Sequence, residues 1–371
     1  MAKPGRERPP SLPYACPVTP ADLSRTVLHA VRRAVDEDVL RAPVPARVRV
    51  ERTRPGGTGD YACAVALQLA GPAARPAREV AGILRDRVAG APGIGRVDVT
   101  GPGFLSFTLD ASADVRAREA LVREVLARGT RYGHGDTLAG DILQFSHARE
   151  VRAAVTTHTL RAIARTQGAL ARTSCDGSPD PDWARLGVHI DAQGRLPAPL
   201  TAIRPVPAGA GAGELLRRLG PDATRWGLLR PAGHDHAPLG AELLVQGVGN
   251  PLFLVRYAHS RACALTRGAA LLGFTGTYDD DVDAPALLRT LADYPQALAA
   301  AARHRAPDRL ARQLEEVAHA FFDFHDACPP LPKGDEKPSA AHRSRLAVAE
   351  AAGAVLAGGL SLLGISAPEV L

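Results

Sequence analysis

Leu310, Leu314, Val317, Phe321 and Phe324 repeat at intervals of four, three, four and three residues. That spacing puts five large apolar side chains on one helix face, and such a stripe must be buried against other helices. The flanking segments carry helix punctuation. Asn250-Pro251 joins a capping side chain to a proline at the first helical position, where the missing N–H has no partner to lose. It predicts a helix to about residue 272. Pro285 opens a second helix to about residue 303 and Pro307 a third; after a loop over 328–340, a last helix over 341–357 leads into Leu360–Ile365. Helices with short links predict an all-α helical bundle over residues 241–371.

The beginning of the chain has a different grammar. Residues 1–19 are rich in Arg and Pro with no apolar core, so they are expected to form a disordered tail and not a signal peptide. Thr19-Pro20 starts an amphipathic helix in which Leu23, Val27, Val31, Val35 and Val39 fall at four-residue steps to about Arg41. Val48 and Val50 alternate with charged residues as in a half-exposed strand. After the turn at Pro55–Gly59, residues 61–70 read as a short buried helix and 76–89 as another. Gly95–Thr100 and Phe104–Leu109 flank Gly101-Pro102-Gly103 as a β-hairpin. Residues 20–112 therefore predict a small α+β domain.

Residues 113–240 are less regular. After a helix to about residue 128, a strand is expected at 141–146, a helix at 150–170, and loops with short strands over 176–213. The run Pro205–Gly213 reads as a linker; no Gly-Lys-Ser/Thr follows it, so it is not a phosphate-cradling loop.

Charge and cysteine content bound the function loosely. Lys+Arg is 45 against 39 Asp+Glu, a net charge of +6, which permits an acidic partner such as RNA without requiring one. Only three of the cations are Lys (Lys3, Lys333 and Lys337), a skew that genome composition alone can produce. Five scattered cysteines without C-x-x-C spacing fit free thiols in a reducing cytoplasm. His234-Asp235-His236 lacks a spaced third ligand, so no metal site is expected. His147 near Glu150 is more simply a solvated helix start than an acid–base pair. No apolar run reaches the ~20 residues that cross a bilayer.

Several segments now resemble one family, the arginyl-tRNA synthetases. Gly59-Asp60-Tyr61-Ala62, Ala66–Ala70 and Gly101–Phe107 resemble its N-terminal additional domain. Tyr132-Gly133 and Ile142–Ser146 resemble the first strand of its catalytic fold, and Gly220–Trp226 the Asp-Ala-x-Arg junction before its C-terminal domain. Asn250–Arg261 resembles the first helix of its anticodon-binding bundle, and Gly359–Glu369 its C-terminus. The resemblance covers residues 20–110 and 220–371 well and 131–150 weakly.

The departures point away from chemistry. The family's ATP-binding His-x-Gly-His occurs nowhere; after Phe145-Ser146 stand His147-Ala148-Arg149-Glu150. One Met at position 1 and three Lys cannot form its Lys-Met-Ser-Lys loop. Only about 75 residues separate Ser146 from Asp222, too few for a complete nucleotide-binding core. The middle segment is thus expected to be a reduced α/β remnant, and the chain a tRNA-binding protein without catalytic residues or cofactor. An arginine–tRNA ligase acting alone or with a partner, and a protein-interaction module, are the alternatives. Asn250, Phe253, Arg256, Tyr257, His259 and Arg261 in the bundle and Phe104 in the first domain are the candidate tRNA contacts, with arginine tRNA the partner the resemblance implies. Phe253, Tyr257 and Arg261 share a helix face, where rings can stack on unstacked bases and Arg can meet phosphate. Tyr257 and His259 are equally readable as buried structural residues, and Phe104 as core.

Overall fold

The computed structural model describes residues 20–53, 57–194 and 199–371, with the backbone alone at residues 21 and 111–114. The expected tail, Cys16 and the start of the Pro55 turn lie outside these residues. The chain forms two compact units that meet between Ala120 and Leu121.

In the first unit, α1 (Pro20–Asp36) buries Leu23, Val27, Ala30, Val31 and Ala34. It stops short of the expected Arg41 because Asp38 turns left-handed (φ 54°) and the N–H groups of Val39 and Leu40 return to the Ala34 carbonyl. Leu40, not Val39, is the side chain this return buries. β1 (Val50–Arg52), β2 (Tyr61–Cys63), α2 (Val65–Ala73), α3 (Ala77–Val88), β3 (Ile94–Thr100) and β4 (Phe104–Leu109) follow, the strands pairing antiparallel in the order β1-β2-β4-β3. The helix expected at 61–70 is thus divided. Tyr61–Cys63 is a strand held between β1 and β4, with Tyr61 opposite Phe107, and the helix begins at Val65. A short apolar run fits either period, and sheet pairing decides. Gly59 makes this pairing possible: its φ is 79°, and a Cβ would lie 2.7 Å from the Phe107 carbonyl oxygen. Gly103 in the β3–β4 turn is equally constrained, since a Cβ there would lie 2.9 Å from Ala77 in α3.

The chain leaves this unit within α4 (Ala111–Arg128). The second unit starts with β5 (Ile142–His147), α5 (Val151–Thr166) and β6 (Leu170–Cys175), then the two-residue strands β7 (Ala192–Gln193) and β8 (Thr201–Ala202). Among the described residues these strands form a parallel sheet in the order β7-β6-β5-β8. The helix expected to run to Leu170 ends at Thr166, because Gly168 (φ 87°) turns the chain into a strand that sequence reasoning did not anticipate. Beyond β7, the open edge of β6 is blunted by side chains: Arg165 donates to the Ala171 carbonyl at 2.8 Å, and Asp191 accepts from the Thr173 N–H at 2.8 Å.

The expected linker at 205–213 is anchored. Val206 N–H donates to the Gly233 carbonyl, and Ala208 N–H to Glu150. It enters α6 (Ala212–Leu229), which Gly220 (φ 73°) breaks in two. α7 (Pro251–Leu271), α8 (Pro285–His304), α9 (Asp308–Ala327) and α10 (Ala340–Leu363) form the expected bundle. Leu310, Leu314, Val317, Phe321 and Phe324 of α9 are all buried in it. Burial of a side chain such as Phe321 contributes about 1.5–3 kcal/mol. α10 revises one expectation: it is long and apolar enough to cross a membrane, but most of its apolar stretch is buried inside the bundle.

Two buried arginines hold the middle segment together, Arg225 also reaching the bundle, and one core cluster runs through the segment and the bundle. Arg152 of α5 donates to the carbonyls of Leu228, Val206, Asp235, Pro231 and Ala232. Arg225 of α6 donates to the Leu363 carbonyl (2.6 Å), the Leu186 carbonyl (2.5 Å) and Thr159 Oγ1 (3.0 Å). Carbonyl acceptors suit a buried guanidinium: the five N–H donors of Arg152 match its five carbonyls in a fixed fork.

Beside Arg225, His158 accepts the His189 N–H through Nδ1 at 3.1 Å. Burial, with Arg225 nearby, lowers its pKa from 6.5 to about 4. The folded chain therefore holds His158 neutral where the unfolded chain takes up a proton. Its contribution is complete above pH ~6.5 and is lost as the pH falls towards 4, where the folded state also protonates. Allowing for partial exposure, the loss between pH 7 and 4.5 is expected to be about 2 kcal/mol. Urea melts across that range should show a flatter acid limb for His158→Gln than for the parent; superimposable limbs would refute this assignment.

Candidate nucleic-acid interface

The exposed side of the α7–α9 pair carries an aromatic array. Phe253 and Tyr257, one turn apart on α7, stack with centroids 5.4 Å apart and planes 15° apart. Tyr257 stacks on Phe322 of α9 at 5.3 Å and 21°. Phe253 and Phe322 are half-buried, while Tyr257 is 37% exposed. Tyr257 is thus the ring shared by both stacks and the most exposed of the three, held in its rotamer by a neighbour on each helix; such an exposed aromatic cluster can stack with an unpaired base. One turn further along α7, Arg261 donates through Nε to His325 Nε2 of α9 at 3.3 Å, and His325 Nδ1 lies 3.3 Å from Asp326. Arg261 is exposed, so a steered cation stands beside the rings.

The other bundle candidates serve the scaffold. Asn250 caps α7 by accepting the Leu252 N–H and donates to the carbonyls of Leu243 and Val245. Arg256 bonds Ser366 Oγ at 3.1 Å and lies 3.5 Å from Asp222. His259, 7% exposed, bonds the Pro368 carbonyl through Nδ1 at 3.0 Å, and Ser260 donates to the Glu369 carbonyl. These residues clamp the C-terminal segment onto α7. Phe104 belongs to the first unit, half-buried at the start of β4. Sequence reasoning missed Phe322 and His325. The available signal was Phe322 itself, a large aromatic one position off the buried α9 stripe.

The Asp-Ala-x-Arg sequence is also architectural. Asp222 accepts the N–H of Ser366 at 3.0 Å and its hydroxyl, while Arg225 reaches Leu363. In the remnant, the C-terminal ends of β5 and β8 form the crevice where open parallel sheets bind ligands. His147 there is buried against Trp183 and bonded to the Ala148 carbonyl at 2.8 Å, and burial lowers its pKa. Glu150 caps α5: one carboxylate oxygen accepts the Ala153 N–H at 2.7 Å, the other the Ala208 N–H at 2.9 Å. The partial positive charge of that helix end is thereby answered by the chain's own carboxylate.

The family model of the arginyl tRNA synthetase N terminal domain matches residues 22–109, and that of the DALR anticodon binding domain residues 255–371, which includes the array from Tyr257 to Phe322. This chain is related to the arginyl-tRNA synthetases. It is 28% identical to an arginine–tRNA ligase of Frankia alni, in an alignment covering 95% of this chain and 100% of the relative. That alignment spans 557 positions, far more than the 371 residues here, so much of the relative has no counterpart in this chain. The fold is shared with the arginyl-tRNA synthetases of Thermus thermophilus (TM-score 0.67, 14% identity) and Plasmodium falciparum (TM-score 0.65, 9% identity), each covering 95% of this chain and 100% of its own. The two family models thus match the beginning and the end of the chain, in that order.

Proposed function

We propose that this chain is a non-catalytic tRNA-binding protein of the cytoplasm that docks the anticodon stem-loop on its C-terminal bundle. The observation that carries the proposal is the Phe253–Tyr257–Phe322 array with Arg261 beside it, of which Tyr257, Arg261 and Phe322 lie within the segment matching the DALR anticodon binding domain. Stacked rings recognise splayed bases, and arginines hold the intervening phosphates. Absence of aminoacyl transfer is supported by the missing His-x-Gly-His and Lys-Met-Ser-Lys sequences. Glu150 adds to this: a phosphate approaching the α5 N-terminus would meet a carboxylate already bonded there.

A second reading, arginine–tRNA ligase, is favoured by the 28% identity to a ligase in an alignment that reaches both ends of that relative. Two assays on the full chain separate the readings. Arginine-dependent ATP–pyrophosphate exchange should be indistinguishable from a no-protein blank, while arginine tRNA is retained at low salt more tightly than bulk tRNA. Exchange by the pure protein would establish the ligase instead. Failure to bind any tRNA at low salt would leave a protein partner as the occupant of the bundle.

A further inference from the structure

Away from the aromatic array, the turn between α8 and α9 faces the loop over residues 231–236 across an open groove of about 650 Å³. Arg305, Arg309 and Arg312 line it. Arg312 is committed to the buried Asp308, 3.1 Å away. Arg305 and Arg309 are exposed, and among the described residues neither side chain has an ion pair or hydrogen bond. Two further carboxylates, Asp235 and Glu316, line the groove. Asp235 lies 3.7 Å from His234, and burial together with Asp293 and Glu315 raises the pKa of Glu316.

Arg305 is also one of three non-glycine residues with positive φ among those described (φ 53°), closing α8 as its left-handed cap. Glycine adopts that conformation without the penalty of about 1–2 kcal/mol that a Cβ brings. Here the position carries a long cation instead, open to the groove and four residues from a second unpaired cation.

We infer that this groove takes phosphodiester groups of a structured RNA backbone, with Arg305 and Arg309 each meeting a phosphate. The inference rests on the tRNA reading above and adds a contact governed by charge, where the aromatic array is governed by stacking. A diester with a single negative charge suits a groove that also holds Asp235 and Glu316 better than a compact inorganic phosphate does. Arg309 and Phe322 lie on one helix about 20 Å apart along its axis and about 140° apart around it, so the groove is a surface separate from the array.

The test is the salt dependence of tRNA binding by the full-length double variant Arg305→Ala/Arg309→Ala. Loss of two phosphate contacts should reduce the slope of log affinity against log salt by about 1.4–1.8. Arginine and bulk tRNAs should weaken by the same factor, circular dichroism should be unchanged, and Arg305→Lys/Arg309→Lys should keep the slope. An unaltered slope in a parent protein that does bind tRNA overturns the groove assignment and leaves the array standing; a parent that binds no tRNA overturns both. Titration with inorganic phosphate distinguishes the sources. Tight phosphate binding that the double variant loses, with the RNA slope unchanged, would make the groove a small-anion site and overturn the RNA assignment.

Discussion

Replacing Arg225 with Ala should destabilise the second unit by about 4 kcal/mol in urea unfolding. The guanidinium is 2% exposed and joins α5, the 181–186 turn and the end of α10 through Thr159, Leu186 and Leu363. Its removal strands three buried acceptors and leaves a cavity, and each unmade bond of this kind costs about 1–3 kcal/mol. Part of the loss is offset because a buried charge no longer has to be desolvated; that burial already lowers the Arg225 pKa to about 10. Arg225→Lys should recover only part of the stability, since an ammonium cannot span the three acceptors in one plane. Arg230, paired at two points with the half-buried Glu315, supplies the contrast: Arg230→Ala should cost about 1–2 kcal/mol. Equal, small losses for Arg225→Ala and Arg230→Ala would refute the tie.

The second large effect concerns binding. Tyr257→Ala should weaken tRNA binding by roughly 5- to 150-fold, the equivalent of about 1–3 kcal/mol for one stacked base. Tyr257→Phe should keep most of the affinity, because the ring and its stacking with Phe253 and Phe322 survive. The salt slope should stay at the parent value in Tyr257→Ala, since the ring neutralises no phosphate, whereas Arg261→Ala should lower it by about 0.7–0.9. Filter binding across a salt series reads both quantities. Affinity for Tyr257→Ala within twofold of the parent would show that the array packs the bundle surface and does not receive a base.

The bundle was legible because its signals are local and redundant: a cap at Asn250, prolines at Pro251 and Pro285, and the α9 stripe from Leu310 to Phe324. Where the signal was a short apolar run, partners elsewhere in the chain decided. Tyr61–Cys63 is a strand because Phe107 lies opposite, and Leu170–Cys175 is a strand because β5 lies beside it. The family motifs pointed to α7 as the candidate helix but not to the partners of each side chain. On α7, a rotation of 100° per residue separates Arg256, turned to Asp222 and Ser366, from Tyr257, turned to solvent and Phe322.

Periodicity, capping and motif identity are properties of neighbouring residues, so the sequence by itself determined the α+β start, the helical end, the absent ATP-binding signatures and the choice of α7 as the candidate helix. The pairing of Phe322 with Tyr257, the capture of the C-terminal segment by Arg256 and His259, the closure of the α5 N-terminus by Glu150 and the groove beneath Arg305 join residues from separate elements. Only the tertiary structure decided these, because burial and partner distance depend on which helices pack together, and no local pattern encodes that.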